Sequence, residues 1–426
     1  MLRTSLVVAV ALALVSLSCG PAAEEDADWW IDDAGKYHYR DGGATHCDPN
    51  HPVDCDLDGD GYTTNQGDCN DNDPTIHPGA AECNANGNGD GIDNNCNQYI
   101  DEGCLNSDAD GDGYTVGQGD CNDTDATVNP AAYEVPGNNK DDNCDGRTDE
   151  PTECDCTGTF NPQDVNSYIK ALELCNTPQI QNPVLNGHAS SHGIFTTFGS
   201  YVPRHPSSCN FVILSSGPAG SKDPQEDRIA SDLGVTYSPN PANYPENPAV
   251  QYEPTEVYDY AEIRMSLLVP TNAKSFSFDF VFLTSEYPEW SCTEFNDTFI
   301  AWLKSTQYTG NISFDANHNT IQVNSAFFGA DPAELAGTGY DAVSYSCDSF
   351  GGRTGCTMPT VGSTCTVGGT TGWLTTTSPV EPGEMIDLTF SIFDEGDHVL
   401  DSMVIIDYFR WEITGSSGPC TDPDGC

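Results

Sequence analysis

Two stretches, DLDGDGYTTNQGDCNDND at residues 56–73 and DADGDGYTVGQGDCNDTD at residues 108–125, repeat one acidic pattern at an offset of 52 residues. Asp56, Asp58 and Asp60, or Asp108, Asp110 and Asp112, take the first, third and fifth places of a loop whose sixth residue is glycine. Carboxylates at alternate places with a glycine turn are how a short loop wraps a hard cation, so the pattern predicts calcium sites. Tyr62 and Tyr114 follow and offer main-chain carbonyls, while Asp68, Asp73, Asp120 and Asp125 complete the acidic sets. An EF-hand would place a bidentate glutamate at position twelve, but Gly67 and Gly119 stand there, with Asp68 and Asp120 one place later. Neither flank has the apolar period of a helix. A chain of this kind folds as loops closed on metal with little core.

The second half of each copy extends the reading. DNNCNQYIDE at residues 93–102 matches DDNCDGRTDE at residues 141–150 and again alternates oxygen ligands. Asp93, Asn95, Asn97 and Asp101 form one expected site, and Asp141, Asn143, Asp145 and Asp149 its equivalent. The offset falls to 48 here because the first copy carries the extra residues NGNGDG around positions 86–91, a further candidate for weak metal binding. The competing reading is that Asp/Asn/Gly-rich stretches are plain turns. Matching cysteines weigh against it: Cys69 with Cys96 and Cys121 with Cys144 recur at equivalent places and are the expected staples inside each copy.

The series D-x-D-G-D-G-Y, G-D-C-N-D-x-D and N-C-[DN]-x-x-x-D-E over residues 54–150 resembles the metal-binding repeat named after the copper protein MopE, and more loosely the calcium loops of thrombospondin-type repeats. The family name suggests copper. The ligand chemistry does not: the repeats offer carboxylates and amides, no methionine, and His77 as their one softer donor, a set that favours several calcium ions over copper.

The chain opens with Arg3, an apolar run from residue 6 to 17 broken by Ser16, and then Ser18-Cys19-Gly20. The run is too short to span a bilayer, and the small residues before a cysteine are the layout of a bacterial lipoprotein signal. Residues 1–18 are thus the expected signal, Cys19 the lipidated residue that ties the protein to a membrane, and residues 19–46 a tether. An ordinary secretory cleavage nearby is the alternative. Gly20 rather than aspartate after the cysteine points, in a Gram-negative cell, to the outer membrane. Setting Cys19 aside leaves 18 of 19 cysteines, an even number that fits disulfides in an oxidising compartment.

A net charge of −52 costs a compact fold through self-repulsion unless cations neutralise it. Of the 66 acidic residues 34 lie in the first 156 positions against five basic ones, so the charge is densest where the loops are. With no basic patch, nucleic acid is excluded as a partner.

Past residue 156 charge thins and alternation takes over. Phe276, Phe278, Phe280 and Phe282 alternate with Ser275, Ser277 and Asp279, and Ile386, Leu388, Phe390 and Ile392 with Asp387, Thr389 and Ser391. Such period-two runs predict half-buried strands of a mostly antiparallel sandwich, jelly-roll-like, over residues 157–418, with residues 419–426 a cysteine-containing tail. The fold class is therefore mostly β, the repeats at 47–156 preceding a sandwich. One helix is expected at its start, capped by Asn161, with Pro162 in the first turn, burying Val165, Ile169 and Leu172.

TSEYPEWSCTEFNDTFIAWL at residues 284–303 and FDEGDHVLDSMVIIDYF at residues 393–409, with Asn311-Ile312 after the first, resemble the choice-of-anchor L domain of bacterial surface proteins. That resemblance implies a cell-surface location and brings no enzyme chemistry. Glu286, Asn296, Asp297, Asp394, Asp397 and Asp401 fall in these segments, and if they converge they make another cation site. Two competing readings are paired acids for glycoside hydrolysis, such as Glu286 with Asp397, and plain loop acids. His188, Ser190, Ser191 and His192 invite a hydrolase reading, but no G-x-S-x-G elbow accompanies them. The expected function is non-enzymatic: acidic repeats form a calcium-stiffened stalk that presents the sandwich to an extracellular protein or polysaccharide. A secreted hydrolase on a stalk and a copper-binding surface protein are the alternatives.

Overall fold

The computed structural model describes residues 56–151, 154, 160–175, 177–205, 208–220, 257–287, 297–323, 325, 327–329, 331–340, 368–395 and 400–425, and the backbone of 29–31, 37–39, 236–237, 344–346 and 364–366. Cys19, Asn296 and Asp397 lie outside the described residues. The chain divides into two compact units, one of Met1–Glu82 with Gly91–Gln98, the other of Cys83–Asp90 with Tyr99–Cys426.

In the first unit, β1 (Trp29–Ile31) and β2 (Tyr37–Tyr39) form a short antiparallel ladder inside the segment read as a tether. Residues 56–82 and 91–98 are bends and turns apart from one 3-10 turn, Thr64–Gln66. The Gln66 side chain accepts from the Thr63 N–H at 3.0 Å, and Gly67 closes the turn at φ 100, a left-handed conformation that suits glycine. The second copy repeats this at Val116–Gln118, with Thr115, Gln118 and Gly119 in the same roles.

The second unit is dominated by strands, and with 31% strand against 6% helix among the described residues the fold is mostly β. In chain order these are β3 (Ile180–Asn186), β4 (His192–Phe195), β5 (Phe211–Ser215), β6 (Thr236–Tyr237), β7 (Val257–Leu268), β8 (Ser275–Thr284), β9 (Thr298–Lys304), β10 (Thr309–Asn311), β11 (Ile321–Gln322), β12 (Ser344–Ser346), β13 (Thr364–Thr366), β14 (Gly369–Thr370), β15 (Leu374–Pro379), β16 (Met385–Asp394), β17 (Ser402–Glu412) and β18 (Cys420–Asp422). One sheet runs β10-β9-β16-β7-β3, with β11 on β9 and β6 on β7; the other runs β18-β15-β8-β17-β5-β4, with β14 on β8. The pairings are antiparallel, and the two sheets pack together as expected. Phe278 meets Phe390 edge-on at 4.8 Å and Phe280 meets Phe299 at 5.0 Å, aromatic contacts that lock one sheet to the other.

Two expectations need correcting. Strand β8 is not half-buried: all ten of its residues are inside. Its Phe face fills the inter-sheet core, while Val281 and Leu283 join Phe198, Tyr201, Leu335 and Tyr340 in a second cluster that covers the outer face. Buried polar residues on that outer face are paired, as Ser277 is with Thr377 at 2.9 Å and Asp279 with Arg410 at 3.2 Å. The helix, α1 (Val165–Ala171), starts later than the sequence suggests, because Asn161 accepts from Gln163 N–H to close a turn and Asp164 caps the helix by accepting from Asn166 N–H at 3.1 Å. Its buried face is Tyr168 and Ala171, continued by the expected Leu172; Ile169 packs against the main core partly buried, and Val165 is half-buried. A second short helix, α2 (Pro332–Leu335), contributes Leu335 to the outer cluster. Among the described residues no helix is long and apolar enough to cross a membrane.

The second repeat copy is joined to the sandwich. Asn272, in the turn before β8, donates to Tyr133 O and accepts from Tyr133 N–H, both at 2.8 Å, and Thr271 donates to Asn129 Oδ1 at 2.8 Å. Tyr133 also packs on the main core.

Candidate metal centres

The alternation of aspartates becomes geometry through the backbone. Asp56 accepts from Gly59 and Gly61 N–H at 2.6 and 3.0 Å, Asp58 from Asp60 N–H at 3.2 Å, and Asp60 from Tyr62 N–H at 2.8 Å. Asp108, Asp110 and Asp112 repeat these bonds to Gly111, Gly113, Asp112 and Tyr114. Asp56 and Asp108 use both oxygens to steady the turn, whereas Asp58, Asp60 and Asp110 each use one and keep a second buried oxygen without a hydrogen bond. Carboxylate oxygens of Asp56, Asp58 and Asp60 lie within 4.8 Å of one another, as do those of Asp108, Asp110 and Asp112.

The first copy has a further cluster, Asp58 with Asp68 and Asp71. Asp71, and its equivalent Asp123, were missed by reading the sequence; Asp71 accepts from Leu57 N–H at 3.1 Å and Asp123 from Ala109 N–H at 3.0 Å, so each bridges the two arms of its loop. Their recurrence at the 52-residue offset was the available signal. Buried Oδ2 atoms of Asp58, Asp60 and Asp68, and of Asp110 and Asp120 in the second copy, make no hydrogen bond. A carboxylate oxygen shut away from water without a hydrogen bond is unfavourable unless a cation meets it. Burial first, then Asp112, pushes the Asp110 carboxyl up to about 6. Asp58, Asp112 and Asp120 are also raised, chiefly by burial.

Asp73 and Asp125, read as ligands, are placed elsewhere. Asp73 accepts from the Thr75 hydroxyl at 2.7 Å, and Asp125 from the Thr127 hydroxyl and Lys140 Nζ, both at 2.6 Å, bonds that hold both carboxyls below the usual range. They cap turns.

The second halves wrap in the same way. Asp93 accepts from Asn97 and Gln98 N–H, and Asp141 from Asp145 and Gly146 N–H; Asn143 accepts from Asp145 N–H and Asp145 from Arg147 N–H. Position six is left-handed in both, with Gly146 at φ 91 and Gln98 at φ 82. Asp101 accepts from Asp90 N–H, and Asp149 from Gly137 and Asn139 N–H. Glu150, also missed, accepts from Asn143 Nδ2 at 3.1 Å and keeps a buried Oε2 without a hydrogen bond. Among the described residues these second halves bring no three carboxylates within 4.8 Å. The NGNGDG insertion is a turn in which Asn84 Oδ1 accepts from Asn86 and Asn88 N–H.

Disulfides join Cys69 to Cys96 and Cys121 to Cys144, the two pairs the repeat suggested, and also Cys83 to Cys104 and Cys154 to Cys175. The donors that converge are hard oxygens, which fit calcium. His77 stacks on Tyr62 at 5.0 Å and belongs to none of the carboxylate clusters, so the softer ligand copper would prefer is not gathered with them.

In the sandwich, Glu286, Asp297, Asp394 and Asp401 are all at most 1% exposed. Asp297 receives the Ser402 hydroxyl at 2.5 Å, and its N–H donates to Glu286 at 3.3 Å. Asp297 is raised well above the ordinary carboxylate range by burial and then by the Glu286 charge, and Asp394 by burial and then by the Asp297 charge. The His188–His192 segment forms a local network: His188 pairs with Ser190 at 2.8 Å, Ser191 donates to His188 O, and His192 pairs with the Tyr168 hydroxyl.

Neither the curated proteins nor the solved structures contain a match to this chain. Family models do match. The metal-binding motif of the copper-binding MopE family covers residues 68–102 and 120–150, the stretches in which the Asp68 and Asp120 loops and the Cys69–Cys96 and Cys121–Cys144 staples lie. The choice-of-anchor L domain covers residues 159–409, more than half of the chain and nearly the whole two-sheet body, and the protein therefore belongs to the choice-of-anchor L family.

Proposed function

We propose that this is a surface-associated calcium-binding protein, held to a membrane by lipid at Cys19, whose sandwich engages an extracellular protein or polysaccharide without catalysing a reaction. The observation that carries the metal reading is the set of inward carboxylate oxygens, Asp58, Asp60 and Asp68 Oδ2 with Asp110 and Asp120 Oδ2, each buried without a hydrogen bond in a loop made of hard donors. Calcium would be coordinated by these oxygens and would offset the burial and, after it, the like charge that raise Asp110. The match to the choice-of-anchor L domain supports the surface location.

Calorimetry of the full chain tests the metal: more than one calcium should bind, Asp58→Asn with Asp110→Asn should lower the count, and copper should not displace calcium at matched free concentration. An unchanged count would remove these aspartates from the ligand set. Attachment is tested separately by Cys19→Ser, which should abolish lipid labelling and move the protein out of the membrane fraction. Turnover on a polysaccharide and peptide panel, lost in Glu286→Gln, would replace the binding role by a hydrolase.

A further inference from the structure

The two copies use one pair of equivalent aspartates alike and another pair differently. Asp68 and Asp120 match: each accepts the N–H two residues on, from Asn70 and Asn122 at 2.8 Å through Oδ1, and each keeps a buried Oδ2 without a hydrogen bond. Asp71 and Asp123 part company. Asp71 accepts from Leu57 N–H through Oδ1 and brings a carboxylate oxygen within 4.8 Å of those of Asp58 and Asp68. Asp123 accepts from Ala109 N–H through Oδ1 in the same manner, but its Oδ2 accepts from Gly103 N–H at 3.0 Å. Asp110, Asp120 and Asp123 accordingly form no such group among the described residues.

Gly103 is held in place to do this. It is left-handed at φ 74, a conformation that suits glycine, and its neighbour Cys104 is joined to Cys83 by the disulfide that has no counterpart at the repeat offset. The turn between the copies thus occupies, in the second, the acid that completes a cluster in the first.

In the first copy Asp58 is common to two groups, one with Asp56 and Asp60 and one with Asp68 and Asp71. Oxygens bound to a single calcium lie at most about 5 Å apart, so two separate groups that share one carboxylate have the geometry of two ions flanking it. Asp68 and Asp71 are 3% and 7% exposed, and the Oδ2 atoms of Asp58, Asp60 and Asp68 are buried without a hydrogen bond.

We propose that the first copy holds a pair of calcium ions bridged by Asp58, whereas the second holds a single ion because Gly103 N–H occupies Asp123. This rests on the calcium reading above and adds to it the unequal division of ions between the copies.

Manganese, a hard divalent ion that is paramagnetic, serves as the probe. Two such ions in one bridged site lie on the order of 4 Å apart, so electron paramagnetic resonance of the unmutated full chain loaded with manganese should show a spin-coupled pair beside isolated ions. Asp71→Asn, which keeps an oxygen for the Leu57 N–H, should abolish the pair signal and lower the bound count by one. Asp123→Asn should leave the pair signal in place. Isolated ions alone on the unmutated chain, or a pair signal that survives Asp71→Asn, would overturn the unequal division while leaving the calcium sites themselves standing. Failure of either manganese or calcium to bind would sink the calcium reading and this proposal with it.

Discussion

The two repeat copies share their motif and differ in what surrounds it. In the first, position 77 is a histidine stacked on Tyr62; in the second the equivalent Asn129 donates to Asp112 Oδ2 at 2.7 Å and accepts the Thr271 hydroxyl from the sandwich. The second copy also has the Lys140 bond to Asp125, whereas the first has the extra carboxylate cluster of Asp58, Asp68 and Asp71. The same cation loop is thus closed on its own acids in one place and wired into a large β core in the other. Motif identity sets the ligands; the neighbours set how much the loop depends on them.

Chelation is the strongest way to break that contrast. In EDTA, limited proteolysis of the full chain should cut residues 56–98 at least about tenfold faster than in calcium, with a smaller change at residues 108–150, where the sandwich supports the backbone. Equal acceleration in both copies would mean that the Asn129 and Asn272 contacts do not matter.

A pH scan should set the sandwich against the loops. Asp407 is buried and pushed up to about 7, chiefly by burial and against two main-chain hydrogen bonds from Arg204 and Tyr408. Because the folded state holds the proton more tightly than the unfolded state, this group's contribution is present below about pH 4 and is lost as pH rises to about 7. Asp407→Asn should flatten thermal stability between those limits by on the order of 2–4 kcal/mol. Calcium binding to the loops should run the other way, weakening as Asp110 gains a proton below about pH 6.

Asn129→Ala should cost about 1–2 kcal/mol and weaken calcium binding in the second copy, since it removes a buried group bonded to both Asp112 and Thr271. His77→Ala should cost less, and calorimetry of both variants would show whether the sandwich link is selective. Lys140→Gln, breaking an exposed pair, should change stability by under about 1 kcal/mol, because solvent screens it.

Repetition decided what could be read from the sequence. The loops and the Cys69–Cys96 and Cys121–Cys144 staples recur, so an accidental match was improbable; Cys83–Cys104 has no counterpart at the repeat offset and was invisible. That Thr75 and Thr127, two residues on, donate to Asp73 and Asp125 is local geometry that composition alone does not show. Alternation located β8 and β16 but not the second layer over β8, which comes from the distant residues Phe198, Leu335 and Tyr340. The burial of Glu286, Asp297, Asp394 and Asp401 at strand ends paired through Phe393 with Thr298 and Ser402 with Thr284 depends on strand register, a property that spacing along the chain does not carry.

Ile76 is the one apolar side chain buried in residues 56–82 and 91–98 of the first unit, among the described residues. Unfolding a loop with so little apolar surface to expose carries almost no heat-capacity change, so its stability barely bends with temperature and has no cold limit of the usual kind. On the proposed calcium reading, free calcium takes temperature's place as the controlling variable. Such a segment would be stiff in a calcium-rich medium at any growth temperature and slack in a calcium-poor one, which makes it a gauge of the surrounding medium's ionic composition.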